Sequence, residues 1–192
     1  GKFRRLPENI GSNYQFSSRF LIDLELSPEG KIWIASDGGG LMQFDPDTEQ
    51  VNVFKHQLNQ LDSISGDHII SLLQTASGLW VGTRDTGLNL YKNNRWQRFN
   101  QPGKLSSNGI YGILEDQYQR IWITHAKGLS AYDPRTGNFT DYSTTQGLQG
   151  EDFNSGAAFK TSSGYLLFGG TNGFNYFDPL TIHGNRHIPP IR

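Results

Sequence analysis

One pattern occurs four times along this chain and restricts its fold more than any other feature. Each copy has an apolar strand, a short turn, an apolar strand holding a bulky residue, a Gly-rich turn, Gly-Leu or Gly-Phe, and an aromatic. The copies read LIDLELSPEGKIWIASDGGGLMQFDPDT from Leu21, IISLLQTASGLWVGTRDTGLNLYKNN from Ile69, IYGILEDQYQRIWITHAKGLSAYDPRT from Ile110 and GAAFKTSSGYLLFGGTNGFNYFDPLT from Gly156. The bulky positions are Trp33, Trp80, Trp122 and Leu167, spaced 47, 42 and 45 residues apart. The distance from each to the Gly before Leu or Phe (Gly40, Gly87, Gly128, Gly173) is 7, 7, 6 and 6 residues. A period in the forties built of strand-sized pieces predicts the blades of a β-propeller. The expected fold is all-β, with four four-stranded repeats forming an arc of a larger propeller.

Within a repeat, turn residues bound short runs rich in Ile, Val, Leu and aromatics. In the third copy these runs are Ile110–Glu115, Arg120–Thr124, Leu129–Tyr132 and Asn138–Tyr142. Asp45-Pro46, Asp133-Pro134 and Asp178-Pro179 open the turn between strands three and four, because Pro presets φ and Asp bonds the backbone ahead of it. The second copy uses Lys92-Asn93-Asn94 instead, residues that tolerate positive φ. No segment has a convincing helix period. The repeats divide 18–182 into about 18–62, 63–105, 106–149 and 150–182. Lys2–Arg5 resembles the outermost strands Val53–Lys55 and Trp96–Phe99, so 1–17 reads as the remnant of a preceding blade and its connector. Residues 183–192, with Pro189-Pro190, read as a linker towards a further domain.

Composition narrows the function classes. The 12 Phe, 8 Tyr and 4 Trp among 192 residues suffice for a core. A net charge of −1 with both signs interspersed gives no polybasic face for nucleic acid or a membrane surface. No run of 18 apolar residues is present, and the first residues have no signal-peptide core. Zero Cys excludes disulfides and thiol catalysis.

Trp33, Trp80, Trp122 and Leu167 lie mid-strand among Ile, Val and Leu, which assigns them to packing between blades. Trp96, on an outermost strand, is expected at a blade edge. The turns between strands two and three project onto one face beside the inter-blade connections. They differ from copy to copy on a constant scaffold, which is how loops acquire binding roles. Their candidate ligand-binding residues are Asp37, Arg84, Asp85, His125, Lys127 and Asn172. Arg84 and Lys127 suit acidic groups, and Asp37, Asp85 and Asn172 suit hydroxyls. Ordinary solvated turns would look the same. The connectors on that face add a polar rim of Asn59, Asp62, Asp67, His68 and Asn108, residues that connections also need for turn chemistry.

Catalytic patterns are weak. His56, His68, His125, His183 and His187 show no metal-ligand spacing. Ser71, Ser106 and Ser107 lie in no nucleophile elbow. Glu115 and Asp116 are adjacent on a strand and point to opposite faces. No catalytic residue, metal or cofactor is expected.

Gly78-Leu79-Trp80-Val81-Gly82-Thr83 with Gly87-Leu88, and Arg120-Ile121-Trp122-Ile123-Thr124 with Gly128-Leu129, resemble the two-component regulator propeller repeat. Asp152-Phe153-Asn154, Gly169-Gly170, Asn172-Gly173-Phe174, Phe177-Asp178-Pro179 and Pro189-Pro190 are similar to the final blade of such sensors. Ala35 and Thr124 replace the usual Gly, and Leu167 the usual aromatic. The resemblance covers roughly Ser18 to Pro190. It implies a periplasmic ligand-sensing segment of an inner-membrane receptor. In the family, a Tyr-rich immunoglobulin-like domain, a membrane helix and a cytoplasmic output module follow. An oligosaccharide or other small ligand is the expected partner, and self-association of the blade faces is expected of the segment alone. The alternatives are a streptogramin-lyase-type enzyme, with His125 and Glu115 as its suspects, and a structural or protein-binding propeller.

Overall fold

The four repeats form four antiparallel sheets in chain order. The computed structural model of the protein describes residues 9–10, 14–15, 17–18, 20–99 and 105–182. A two-residue ladder, β1 (Asn9–Ile10) with β2 (Tyr14–Gln15), comes first. The first blade contains β3 (Leu21–Leu26), β4 (Ile32–Ser36), β5 (Gly40–Asp45) and β6 (Gln50–Phe54). The second contains β7 (Ile69–Thr75), β8 (Gly78–Thr83), β9 (Leu88–Lys92) and β10 (Arg95–Phe99). The third contains β11 (Ile110–Glu115), β12 (Ile121–His125), β13 (Gly128–Asp133) and β14 (Asn138–Tyr142). The fourth differs from expectation. It has three strands among the described residues, β15 (Phe153–Lys160), β16 (Leu166–Gly170) and β17 (Gly173–Phe177). Lys2–Arg5, His183, His187 and Pro189-Pro190 lie outside the described residues.

The turns follow from their residues. Asp45 Oδ1 accepts from the backbone N–H groups of Asp47 and Thr48 at 3.0 and 3.2 Å. Asp133 and Asp178 accept in the same way from Arg135 and Leu180 N–H. Asn93 and Asn94 adopt φ of 51° and 59°, as a tight hairpin requires. The Gly that opens strand three has a specific task. Gly40 N–H donates to Asp67 O at 2.9 Å, Gly87 N–H to Asn108 O at 2.8 Å, and Gly128 N–H to Glu151 O at 3.2 Å. Each bond fastens a turn to the connector leading to the next blade. At Gly40, φ is +80° and a Cβ would lie 2.4 Å from Phe54 O, so no other residue fits.

The inner strands lie side by side, β3 against β7, β7 against β11 and β11 against β15. Each blade's Trp fills the seam to the next. Trp33 meets Tyr91, Trp80 meets Tyr132 and Trp122 meets Phe177, with ring centroids 5.6, 5.8 and 4.9 Å apart. Each also packs on its own blade's outer strand, on Phe54, Phe99 and Tyr142. Trp80 and Trp122 are 1% and 0% exposed, and each removes roughly 150–250 Å² from water. Trp96 contacts Phe54 and Tyr91 at the blade edge, as its position implied.

Leu167 corrects the core assignment. Its register with Phe159 and Tyr176 matches that of Trp80 with Leu73 and Leu90, yet it is half-buried. The Trp position faces the following blade, and among the described residues no blade covers that face of the fourth. Phe159, Phe174 and Tyr176 are accordingly 63%, 66% and 56% exposed. Leu24 and Leu26, pointing away from the second blade, leave a matching apolar face at the other end of the arc.

Asp23 and Glu25 alternate with these leucines and point the other way, into the seam. Asp23 Oδ2 accepts from Leu72 N–H at 2.9 Å and Glu25 Oε1 from Gln74 N–H at 2.8 Å. Two carboxylates at a strand period thus satisfy alternate N–H groups on the free edge of β7. Burial pushes both carboxyls above the usual carboxylate range. Ser71 occupies the equivalent position in the second blade and donates to Ile110 O at 2.9 Å.

Candidate functional site

The turn between strands two and three is closed from within at the last residue of strand two. Ser36 Oγ donates to Gly40 O at 2.8 Å, and Thr83 Oγ1 to Gly87 O at 2.7 Å. Asp37 and Arg84 follow these residues directly, so both are held on one face. Gly40 and Arg84 bond the backbone of Asp67 and His68, which brings the connector to the same place.

There the structure brings two predicted residues, Asp37 and Arg84, together with a third, His68. His68 Nδ1–H donates to Asp37 Oδ1 at 2.5 Å, and Arg84 NH2 donates to Asp37 Oδ2 at 2.8 Å. The hydrogen bond from His68, and then the Arg84 charge, hold the Asp37 carboxyl below its ordinary range. Half of the His68 and Arg84 side-chain surface stays exposed. Asp37 therefore bridges two blades and orients a guanidinium and an imidazole towards solvent. Such a pair suits a carboxylate or hydroxyl ligand. His68 was legible only as part of a polar rim, because its contact with Asp37 spans 31 residues of sequence.

The other predicted residues do not join this cluster. Asp85 and Lys127 are exposed, and among the described residues neither makes a side-chain hydrogen bond or ion pair. Asn172 is exposed in the fourth blade, where its N–H donates to Gln149 Oε1 at 2.8 Å. His125 is corrected: it is 0% exposed and does not belong to the open face. It replaces the Ser or Thr that closes the turn in the first two blades. Lys127 N–H donates to its Nδ1, which leaves Nε2–H to donate to Ser130 Oγ at 2.7 Å. Ser130 donates to Asp141 Oδ1 at 2.5 Å, and Ser106 donates to the other carboxylate oxygen. Desolvation lowers the His125 pKa to about 4, so the ring is neutral. Ser130 stands between the acid and the base, whereas a nucleophilic triad needs the base between acid and Ser. Glu115 pairs with Ile121 and His125 with Ile110, at opposite ends of one ladder. The two residues suspected of lyase chemistry are roughly 13 Å apart at strand rise and share no site.

Two of the remaining connector polars, Asp67 and Asp62, cap backbone N–H groups. Asp67 Oδ1 accepts from His56 N–H at 2.7 Å, and Asp62 Oδ1 from Trp96 N–H at 2.8 Å. Asp116 is an internal clamp. It is 2% exposed and accepts from Tyr118 N–H, Arg120 N–H, Arg120 Nε and Trp122 Nε1. Arg120 reaches on to Pro179 O at 2.6 Å and ties the third blade to the fourth.

Comparison with known proteins agrees with this architecture. Residues 104–126 match the family model "Two component regulator propeller". The chain carries this propeller repeat. The matched stretch includes Trp122, the indole held by Asp116. The extracellular domain of the hybrid two component system BT3049 from B. thetaiotaomicron is 28% identical, with a TM-score of 0.75 over 88% of this chain and 23% of that one. "Histidine kinase P4" of Formosa agariphila is 24% identical over 96% of this chain. The chain spans 14% of that kinase's length. An inactive virginiamycin B lyase from Staphylococcus aureus, 15% identical with a TM-score of 0.61 over 92% of this chain and 60% of that one, shares the fold alone. Among the described residues, no helix is long and apolar enough to cross a membrane.

Proposed function

We propose that this chain is the ligand-sensing, periplasmic part of an inner-membrane two-component receptor and recognises a carbohydrate through its turn face. The observation that carries the sensor reading is the likeness, in sequence and fold, to the extracellular domain of a hybrid two component system. The Asp37–His68–Arg84 cluster supports the choice of face, since it joins two blades and presents hydrogen-bonding groups to solvent. In this reading the chain itself catalyses nothing and relays binding towards an output module. The carbohydrate class rests on analogy with the sensor family.

Calorimetry with a panel of neutral and acidic oligosaccharides tests the proposal. Arg84→Ala and Lys127→Ala should each weaken binding of any acidic hit while leaving the unfolding midpoint unchanged, because exposed turn charges contribute little to stability. Heat from none of the panel would refute the carbohydrate reading. Equal affinity for the wild type and both variants would refute the turn face as the site.

A further inference from the structure

A cleft lies at the opposite end of the blades, between the first and second. It encloses about 530 Å³, within the range of small-ligand sites. The turn between strands one and two of each blade contributes to it, as do Trp33, Gln43, Tyr91 and the Lys92–Asn94 hairpin. The Asp37–His68–Arg84 cluster belongs to the turns between strands two and three, so the two regions lie on different faces.

Trp33 distinguishes this cleft. In the second blade Trp80 Nε1 donates to Ser77 Oγ at 3.3 Å, and in the third Trp122 Nε1 donates to Asp116 Oδ2 at 2.9 Å. Both acceptors lie on the turn between strands one and two of the same blade. Trp33 occupies the same register position, opposite Glu25 and Gln43. Its blade carries Glu29 where the second carries Ser77, and Glu29 interacts with Ser27. Among the described residues the Trp33 indole N–H has no acceptor. Trp33 is nevertheless only 4% exposed, its ring packed on Phe54 and Tyr91, and it lines the cleft. No buried side-chain nitrogen among the described residues lacks a partner, so the Trp33 indole N–H is the part of the ring that reaches the cleft, where an arriving oxygen can accept from it.

The surrounding groups identify the acceptor's chemistry. Gln43 and Asn93 make no side-chain hydrogen bond among the described residues, and Gln74 uses only its Nε2, on Thr75 O. Amides donate and accept at once, as hydroxyl groups do. The lining holds one acid, Glu29, and two bases, Lys31 and Lys92, and Asp45 outside the lining lies 3.6 Å from Lys31 and offsets its charge, so the cleft has no strong net charge. We infer that this cleft is a second binding site, for a neutral, polyhydroxylated small molecule that gives one oxygen to the Trp33 indole N–H. Such a ligand would bridge the first two blades from the side opposite to the Asp37 cluster.

Neutral disaccharides are the probe. Maltose, cellobiose and xylobiose are titrated separately into uniformly 15N-labelled protein, and the four indole N–H resonances are followed after sequential assignment. A saturable shift of the Trp33 resonance with at least one sugar is expected. Gln43→Ala, which spares the core, should weaken that binding roughly fivefold or more, and Arg84→Ala should leave it unchanged. If none of the three sugars moves the Trp33 resonance, or if Gln43→Ala leaves the affinity unaltered, the cleft is not a site. Binding that vanishes in Arg84→Ala and spares the Trp33 resonance would overturn this inference alone and leave the turn-face reading intact.

Discussion

Trp122 of the third blade meets Phe177 of the fourth with ring centroids 4.9 Å apart. Leu167, at the equivalent position one blade later, is half-buried. One residue position therefore contributes differently according to whether another blade covers it.

Trp122→Ala should destabilise the domain by about 3–5 kcal/mol, because it removes a fully buried ring and leaves Asp116 short of one donor. Leu167→Ala should cost clearly less. Chemical denaturation compares the two. A loss below about 1 kcal/mol for Trp122→Ala would contradict the assignment of this position to the inter-blade core.

His125 should make stability fall on acidification. Its pKa is about 4 when folded and 6.5 when free, so the unfolded chain takes up a proton first as pH drops. The stabilisation is complete above pH 6.5 and is lost as pH falls through 4, a change of roughly 3 kcal/mol. His125→Thr, which copies the closure made by Thr83, should flatten the unfolding free energy across that window relative to wild type. Parallel curves for the two proteins would show that the ring is not buried neutral.

Asp23→Ala should leave Leu72 N–H unpaired, at a cost of about 1–3 kcal/mol, and speed amide exchange at that residue. Asp23→Asn keeps an acceptor oxygen and should preserve most of the protection. If Leu72 exchanges equally in all three proteins, the carboxylate does not cap the β7 edge.

The two apolar end faces should drive self-association of the isolated chain. Leu24 and Leu26 at one end and Phe159, Phe174 and Tyr176 at the other form patches of the kind that mark interaction surfaces. The faces have the polarity of successive blades, so two copies related by a two-fold axis would complete an eight-blade ring. Light scattering should show a dimer at micromolar concentration. A monomer that binds no hydrophobic dye would contradict this.

The sequence by itself determined the blades. Strand boundaries in the third repeat agree to within a residue, and the Asp-Pro and Asn-Asn turns behave as their residues dictate, because turn chemistry and strand alternation act between near neighbours. Burial of Trp33, Trp80 and Trp122 was legible for the same reason: a bulky residue between Ile, Val and Leu on a central strand has few places to go. Contacts between blades were decided only in three dimensions. Asp23 and Leu72 are 49 residues apart and Asp37 and His68 are 31 apart, so no local pattern announces either bond. His125 looked like an exposed turn residue because it borders one, yet Ser130 and Asp141 draw its ring inward. Leu167 kept the repeat's register without its burial. Periodicity specifies which face of a strand a residue occupies, whereas burial depends on what stands opposite that face.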